Sequence, residues 1–321
     1  MKRFFFISLW LLGLSGWSVN VQARTLVECG SFVKIYDPSV GEKESWYIND
    51  HCFIQDTNGD WHMFGITHRE PAQPEEEILF AHATATNLLQ QPWRKLPFAL
   101  TVATNAPWNE GHLWAPDVIY HDQFYYMYYC AGDRDHSKHS RYKINLATSP
   151  DLKTWTRSPA NPMVVDGFDA RDPFILRVKD QWVLYYTATS RPEGGNHVVA
   201  YVTSDDLLTW TNRGVAFTDL SVGTFAGNTE SPFVVRHGDA FYLFVGPRGG
   251  YNGTDVFVSR DPFHWNPTDK VGHFPAHAAE VVQDNDGQWY VSRAGWGQGG
   301  LYLAPLIWRD GEPGIDHGGQ R

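Results

Sequence analysis

Five times along this chain the same order of apolar and polar positions returns: a short apolar run, a turn rich in Asp, Asn or Gly, then an aromatic run. The first instance is Cys-Phe-Ile at 52–54, the turn Asp-Thr-Asn-Gly-Asp at 56–60, and Trp-His-Met-Phe at 61–64. The second leads from 118–120 to the Tyr-rich 124–129, and the third from 174–176 to 182–186. The fourth leads from 233–235 to 241–244, and the fifth from 281–282 to 289–291. Short β-rich runs on either side of such turns predict hairpins. No helical periodicity of useful length interrupts them after the N-terminal stretch. A tandem unit of short strands predicts a blade, and five of them predict an all-β, five-bladed β-propeller in a single domain. The segment from Thr25 to Tyr36 is placed to supply a closing strand for the last blade.

A second pattern marks the far end of the units. Asp-Leu-Lys-Thr-Trp at 151–155, Asp-Leu-Leu-Thr-Trp at 206–210 and Asp-Pro-Phe-His-Trp at 261–265 set Trp155, Trp210 and Trp265 at intervals of 55 residues. Gln-Gln-Pro-Trp at 90–93 is a weaker version. A tryptophan that recurs once per unit predicts packing between blades rather than sugar contact, because large aromatics dominate cores.

The N-terminus follows a different rule. Lys2 and Arg3 precede an apolar stretch over 4–17 and a small-residue site at Val-Gln-Ala, 21–23. This predicts a secretory signal peptide over 1–23, a propeller domain over 24–308, a polar tail over 309–321, and a secreted or periplasmic protein. The apolar stretch is shorter than the roughly 20 residues a membrane-spanning helix needs, so no membrane association is expected after cleavage. The formal net charge is −10, and loss of Lys2 and Arg3 would make it more negative. An acidic chain argues against nucleic acid as a partner. Cys29 and Cys52 could pair in an oxidising compartment or remain buried thiols, with Cys130 left over. No Cys/His spacing suggests zinc. Oligomeric state leaves no trace in the pattern.

The candidate chemistry lies in an acidic residue ahead of each unit: Asp50, Asp117, Asp172, Glu230 and Glu280. A propeller brings successive blades together around one axis, so carboxylates far apart in sequence would converge. Glycoside hydrolysis needs a protonated carboxyl beside the leaving oxygen and an ionised one as base or nucleophile. A third nearby carboxylate raises the acid's pKa. Acids before strands also cap turns, and at least two of the five positions are expected to do only that.

Particular motifs sharpen this reading. Leu-Trp-Ala-Pro-Asp-Val at 113–118, Ser-Pro-Asp-Leu at 149–152 and Glu-Ser-Pro at 230–232 resemble the family 43 arabinanases and xylosidases. Trp-Tyr-Ile-Asn-Asp at 46–50 and Arg-Asp-Pro at 171–173 resemble the family 32 fructosidases, although His51 stands where those have Pro. Both are five-bladed propeller glycosidases, as are families 62 and 68, and the likeness covers nearly the whole chain after the leader. The resemblance implies a glycosidase of oligo- or polysaccharides. It places the base (family 43) or nucleophile (family 32) at Asp50, a pKa-tuning, sugar-binding acid at Asp172, and the general acid at Glu230. On the family 32 likeness, Arg171 would help to bind sugar hydroxyls. Trp114 is a candidate for stacking or for packing, and Asp117 and Arg293 are further substrate-binding candidates. His277 matches a blade-five histidine that helps to hold a calcium ion or a water on the axis. No cofactor is required for the hydrolysis itself.

A family 43-like enzyme of arabinofuranosyl or xylosyl type would invert, with carboxyls about 6.5–9.5 Å apart, and a family 32-like one would retain, with about 5–5.5 Å. A propeller that binds carbohydrate without cleaving it is the alternative from another class. A phosphorylase would need basic residues such as Arg248 and Arg293 beside the acid. The glycines around Trp296, at 295–300, predict a turn between the final strands.

Overall fold

The computed structural model of the chain describes residues 25–133 and 141–310. It is all-β apart from one short 3₁₀ turn, Pro74–Glu76. Three sheets have four strands each, taken in chain order: Trp46–Gln55 to Arg94–Thr101, Trp114–His121 to Thr156–Arg157, and Ala170–Val178 to Thr211–Gly223. The other strands form one nine-stranded sheet that holds Glu230–His237 to Lys270–Phe274 and Val281–Gln283 to Leu301–Arg309. The N-terminal strand Leu26–Cys29 joins these two runs. The first strands of the sheets pack on one another: Trp46–Gln55 on Trp114–His121, that strand on Ala170–Val178, and that in turn on Glu230–His237. The sheets are therefore arranged as propeller-like blades about a shared centre.

The ends of the described chain share one strand. Leu26 lies opposite Arg309 and Cys29 opposite Leu306, antiparallel, while Val33–Tyr36 pairs with the opposite end of Leu301–Arg309. The closing segment sought at 25–36 is thus on the last strand, which runs one residue past 308. Leu26–Cys29 also touches Lys270–Phe274 in parallel, with Val27 opposite Gly272. A Cβ at Gly272 would sit 2.7 Å from the Val27 carbonyl oxygen, so only glycine permits this approach. The leader expected over 1–23 and the tail from 311 onward lie outside the described residues.

The recurrent tryptophans make the seams between sheets. Trp155 meets Phe64 edge-on at 5.5 Å, Trp210 meets Tyr128 at 5.6 Å, and Trp265 meets Tyr185 at 6.0 Å. In each case the Trp that closes one unit packs on the second strand of the sheet before it. The tyrosine hydroxyls tie the same seams, Tyr128 donating to the Leu207 carbonyl and Tyr185 to that of Pro262 at 2.6 Å. The aspartates of the motif cap its turn: Asp151 accepts from the Thr154 amide at 2.7 Å, and Asp206 from that of Thr209 at 2.7 Å. Burying an aromatic of this size stabilises by about 1.5–3 kcal/mol, which is why the repeat keeps it.

All three cysteines are free thiols. Cys29 packs against the core shared by the nine-stranded sheet, whereas Cys52 is buried between the first two sheets. The optional Cys29–Cys52 bridge is not formed, because the two side chains serve different cores.

Candidate active site

The central strands share one local irregularity, and it builds the site. Two residues oppose one between Ile48 and His51, Trp114 and Asp117, Arg171 and Phe174, and Glu230 and Phe233. Such β-bulges re-aim side chains. Three of the four contain a proline, at 116, 173 and 232, which has no N–H to give where the ladder breaks. The residue before each of these prolines has positive φ: Ala115 at 44°, Asp172 at 53° and Ser231 at 49°. A non-glycine residue in that region is strained, and such strain gathers at functional sites. The register also corrects the simple once-per-unit alignment of acids. Glu230 stands just before its bulge, Asp172 is the first bulged residue, Asp50 the second, and Asp117 follows its bulge. Their convergence rests on offsets within the bulges as well as on the repeat.

Four sequence-derived candidates come together. Arg171 Nη1 lies 2.9 Å from Glu230 Oε1 and 3.2 Å from Asp172 Oδ2, and its Nε donates to Asp169 at 2.9 Å. Asp172 Oδ2 also accepts from the Ser231 amide at 3.0 Å and from the Thr187 hydroxyl at 3.3 Å. The Ser231 hydroxyl donates to Asp50. Ser231 therefore links Asp50 to Asp172, and Arg171 links Asp172 to Glu230. Three acids carried on three different first strands become one bonded cluster.

The cluster is short of positive charge. Four carboxylates, those of Asp50, Asp169, Asp172 and Glu230, share the single guanidinium of Arg171. Burial pushes Glu230 up to about 8, with the charges of Asp172 and Asp50 adding to burial and Arg171 opposing. Burial also raises Asp50 and Asp172 above the ordinary carboxylate range. Asp172 has three donors and Asp50 a hydroxyl, while Glu230 has only the shared guanidinium. The proton of the group therefore rests most cheaply on Glu230.

Beside Asp50 stands an aromatic wall. His277 Nε2 is 3.9 Å from Asp50 Oδ2. The His277 ring stacks on Tyr251 at 3.9 Å, and Tyr251 stacks on Trp296 at 5.0 Å. His277 Nδ1 lies 3.0 Å from the Tyr251 carbonyl, an acceptor only, so Nδ1 carries the proton and Nε2 is left as an acceptor. Burial lowers His277 to about 4, so the ring is neutral near pH 7. Behind the wall, Glu77 Oε1 accepts from the Tyr47 hydroxyl at 2.7 Å and from Trp296 Nε1 at 3.0 Å. Burial lifts this carboxyl to about 7.

Among the described residues no group of three or more His, Cys, Asp or Glu side chains is placed to hold a metal ion. Calcium takes about 6–8 oxygen ligands. One imidazole nitrogen and one carboxylate do not fit a calcium ion ligated by the protein itself.

Other candidates lie elsewhere or are already engaged. Asp117 Oδ2 accepts from the Ile175 amide at 2.8 Å and ties the second sheet to the third, its pKa raised by burial to about 7. Trp114 donates to the Pro74 carbonyl at 3.2 Å and lies against His112 and Tyr142. Arg293 is held between the rings of Phe32 and Tyr302, with its guanidinium carbon 4.8 Å from each. Arg248 pairs with Asp219. Neither arginine joins the carboxylate cluster, so the basic pair that a phosphorylase would need is not assembled.

Sequence reading missed Glu77, Asp169, Ser231, Tyr251 and Trp296. For Ser231 the signal was present in Glu-Ser-Pro. Trp296 sits in the glycine-rich stretch read as a turn, where the Gly295 amide bonds the Ile48 carbonyl at 2.7 Å and brings the loop to the first sheet.

Comparison with known proteins bears on the family and the fold. The family model described as the glycosyl hydrolases family 32 N-terminal domain matches residues 42–249. A probable arabinan endo-1,5-α-L-arabinosidase C from Aspergillus niger is 37% identical over 83 residues, which is 23% of this chain and 24% of that protein. An extracellular exo-α-(1→5)-L-arabinofuranosidase from Cellvibrio japonicus is 26% identical over 165 residues, 44% of each chain. The matches thus span less than half the length of either curated relative. Among solved structures, an α-L-arabinofuranosidase from Lactobacillus brevis superposes with a TM-score of 0.65 at 14% identity, covering 85% of this chain and 95% of that one. A thermostable family-43 glycoside hydrolase gives 0.60 at 19% identity, covering 87% and 97%. The fold is therefore that of the family 43 propeller enzymes, while the matching family model is that of family 32.

Proposed function

Since the family model spans residues 42–249, the chain belongs to the glycosyl hydrolases family 32 N-terminal domain family, and we propose that it is a glycoside hydrolase acting on arabinofuranosyl or xylosyl-type oligo- or polysaccharides with inversion. The carrying observation is the bonded cluster of Asp50, Asp172 and Glu230, in which Glu230 is lifted to about 8.

Glu230 gives its proton to the glycosidic oxygen as the bond to the anomeric carbon breaks. Asp50 takes a proton from the water whose oxygen attacks that carbon from the opposite face. Asp172 stays ionised under its three donors and faces the positive charge that develops on the ring. Two acceptors 3.9 Å apart, Asp50 Oδ2 and His277 Nε2, suit the two hydrogens of one water, which favours water rather than Asp50 itself as nucleophile. The cycle ends when solvent removes the proton from Asp50 and restores the one on Glu230. On this reading hydrolysis proceeds without a resident cofactor.

We read the nine-stranded sheet as two blades joined through Leu26–Cys29, which makes five blades in one domain. A signal peptide over 1–23 and a secreted or periplasmic location complete the proposal. A relative described as extracellular supports that location. The second reading is a retaining β-fructosidase-type enzyme, favoured by the family 32 match and by Arg171-Asp172-Pro173.

Both readings are tested by chromatography of sugars released from arabinan, arabinoxylan, levan and inulin, with NMR of the first-formed anomer. Arabinose or xylose products of inverted configuration are expected. Fructose released with retention would replace the first reading by the second. No release from any of the four would shift weight to a carbohydrate-binding propeller.

A further inference from the structure

Phe225 lies in the segment between Thr211–Gly223 and Glu230–His237, next to the cluster, yet it keeps 44% of its surface exposed. A single exposed aromatic is ordinary on a protein surface; this one is set apart by its place against the guanidinium that holds the acid. Its inner side is occupied: the Arg171 guanidinium carbon stands 4.0 Å from the ring centroid, and Tyr142 meets the ring at 5.8 Å. Arg171 Nη2 is buried without a hydrogen-bond partner, so the ring face serves that side of the guanidinium. The same guanidinium holds Glu230 at 2.9 Å.

The ring is held in place by its backbone. The Ala226 amide donates to Asp169 at 2.6 Å, the Thr229 amide to the Ala226 carbonyl at 3.1 Å, and the Asn228 side-chain amide to the Ser221 hydroxyl at 2.6 Å. The neighbouring strand carries two more exposed apolar side chains, Leu220 at 88% and Val222 at 73%. Phe225 is thus a pre-ordered, half-exposed ring set beside the carboxyl that protonates the leaving oxygen.

We propose that Phe225 is the platform of a leaving-group subsite, stacking on the sugar that departs when Glu230 protonates the glycosidic oxygen. This rests on the glycosidase reading above. The geometry follows from the chemistry. The acid must reach the oxygen between the two sugars, so the departing unit lies on the Glu230 side. Asp50 and the His277–Tyr251–Trp296 wall serve the side that keeps the anomeric carbon. A sugar ring presents C–H groups to an aromatic face, and Phe225 offers such a face there.

The test compares 1,5-α-L-arabinotriose, whose leaving group is a sugar, with α-L-arabinofuranosyl fluoride, whose leaving group is an ion. Full-length wild type, Phe225→Ala and Phe225→Tyr are assayed on both, with melting midpoints as the folding control. For Phe225→Ala, kcat/KM on arabinotriose is expected to fall about tenfold while that on the fluoride stays within about twofold. Phe225→Tyr keeps the ring and is expected to restore most of the loss. Equal loss on both substrates would mean that Phe225 supports the cluster as a whole, a loss on arabinotriose with a shifted alkaline limb in its kcat/KM profile would mean that it acts through Arg171 on Glu230, and no loss on either would mean that no sugar stacks there; each of these results overturns the subsite, which predicts the arabinotriose loss with the alkaline limb unmoved. A wild type that leaves both substrates intact would instead sink the arabinofuranosyl reading and the subsite with it.

Discussion

Glu230 and Asp172 differ by two bonds of context. Asp172 collects an amide, a hydroxyl and a guanidinium on one oxygen, while Glu230 must share that guanidinium. This asymmetry supports the proposed roles, since the acid must hold a proton near neutral pH and the stabilising carboxylate must not. Activity is expected to fall on the alkaline side as Glu230 loses its proton near 8. Asp172 is one of the charges that raise Glu230, so Asp172→Asn is expected to move this limb to lower pH as well as to lower kcat. A kcat/KM profile against pH checks it, and an unmoved alkaline limb would count against Glu230 as the titrating acid. The acids were legible in the sequence because carboxylates before strands stand out. Glu77 was not, because nothing around position 77 distinguishes it from the exposed Glu75 and Glu76 beside it until Tyr47 and Trp296 are seen to bond it.

At the scale of the element, the bulge is the device. Proline removes the ladder donor, the residue before it turns to positive φ, and the strand resumes with its side chains re-aimed. Ser231 serves twice, its amide on Asp172 and its hydroxyl on Asp50. The hydroxyl helps to keep Asp50 ionised against burial. Ser231→Ala keeps the amide, and alanine is tolerated at this φ, as Ala115 shows. Its loss of the hydroxyl is expected to raise the Asp50 pKa, move the acidic limb to higher pH and lower kcat by roughly tenfold, the scale of one charged hydrogen bond. An acidic limb unchanged from wild type would separate Asp50 from the base role. Strand positions and turns could be read from the chain because apolar periodicity and Asn-Gly turns are local signals. The bulge offsets could not, because register is settled by pairing with the next strand.

At the scale of the whole molecule, the first and last described strands lie side by side. On the five-blade reading, closure depends on Leu26–Cys29, which lies along the last described strand and touches Gly272. Gly272→Ala would place a methyl group against the Val27 carbonyl, and the melting midpoint is expected to fall by roughly 2–10 °C. An unchanged midpoint would show that the N-terminal strand adds little to closure. The seam tryptophans announced this architecture in the sequence, since their spacing of 55 residues is the length of a unit. Which strand pairs the N-terminal segment was open until the register was seen. Because one imidazole and one carboxylate do not make a calcium site, treatment with EDTA is expected to leave kcat unchanged; loss of activity restored by calcium would overturn the cofactor-free reading.

The account turns on Glu230 as the acid for a sugar leaving group, and substrates of different leaving-group ability test this most directly. Wild type and Glu230→Gln are compared on 1,5-α-L-arabinotriose and on 2,4-dinitrophenyl α-L-arabinofuranoside, whose phenolate departs without a proton. The expected result is a loss of about 10²–10⁴-fold on arabinotriose and a much smaller loss on the dinitrophenyl substrate. Equal losses on the two, or full activity of Glu230→Gln on arabinotriose, would contradict it.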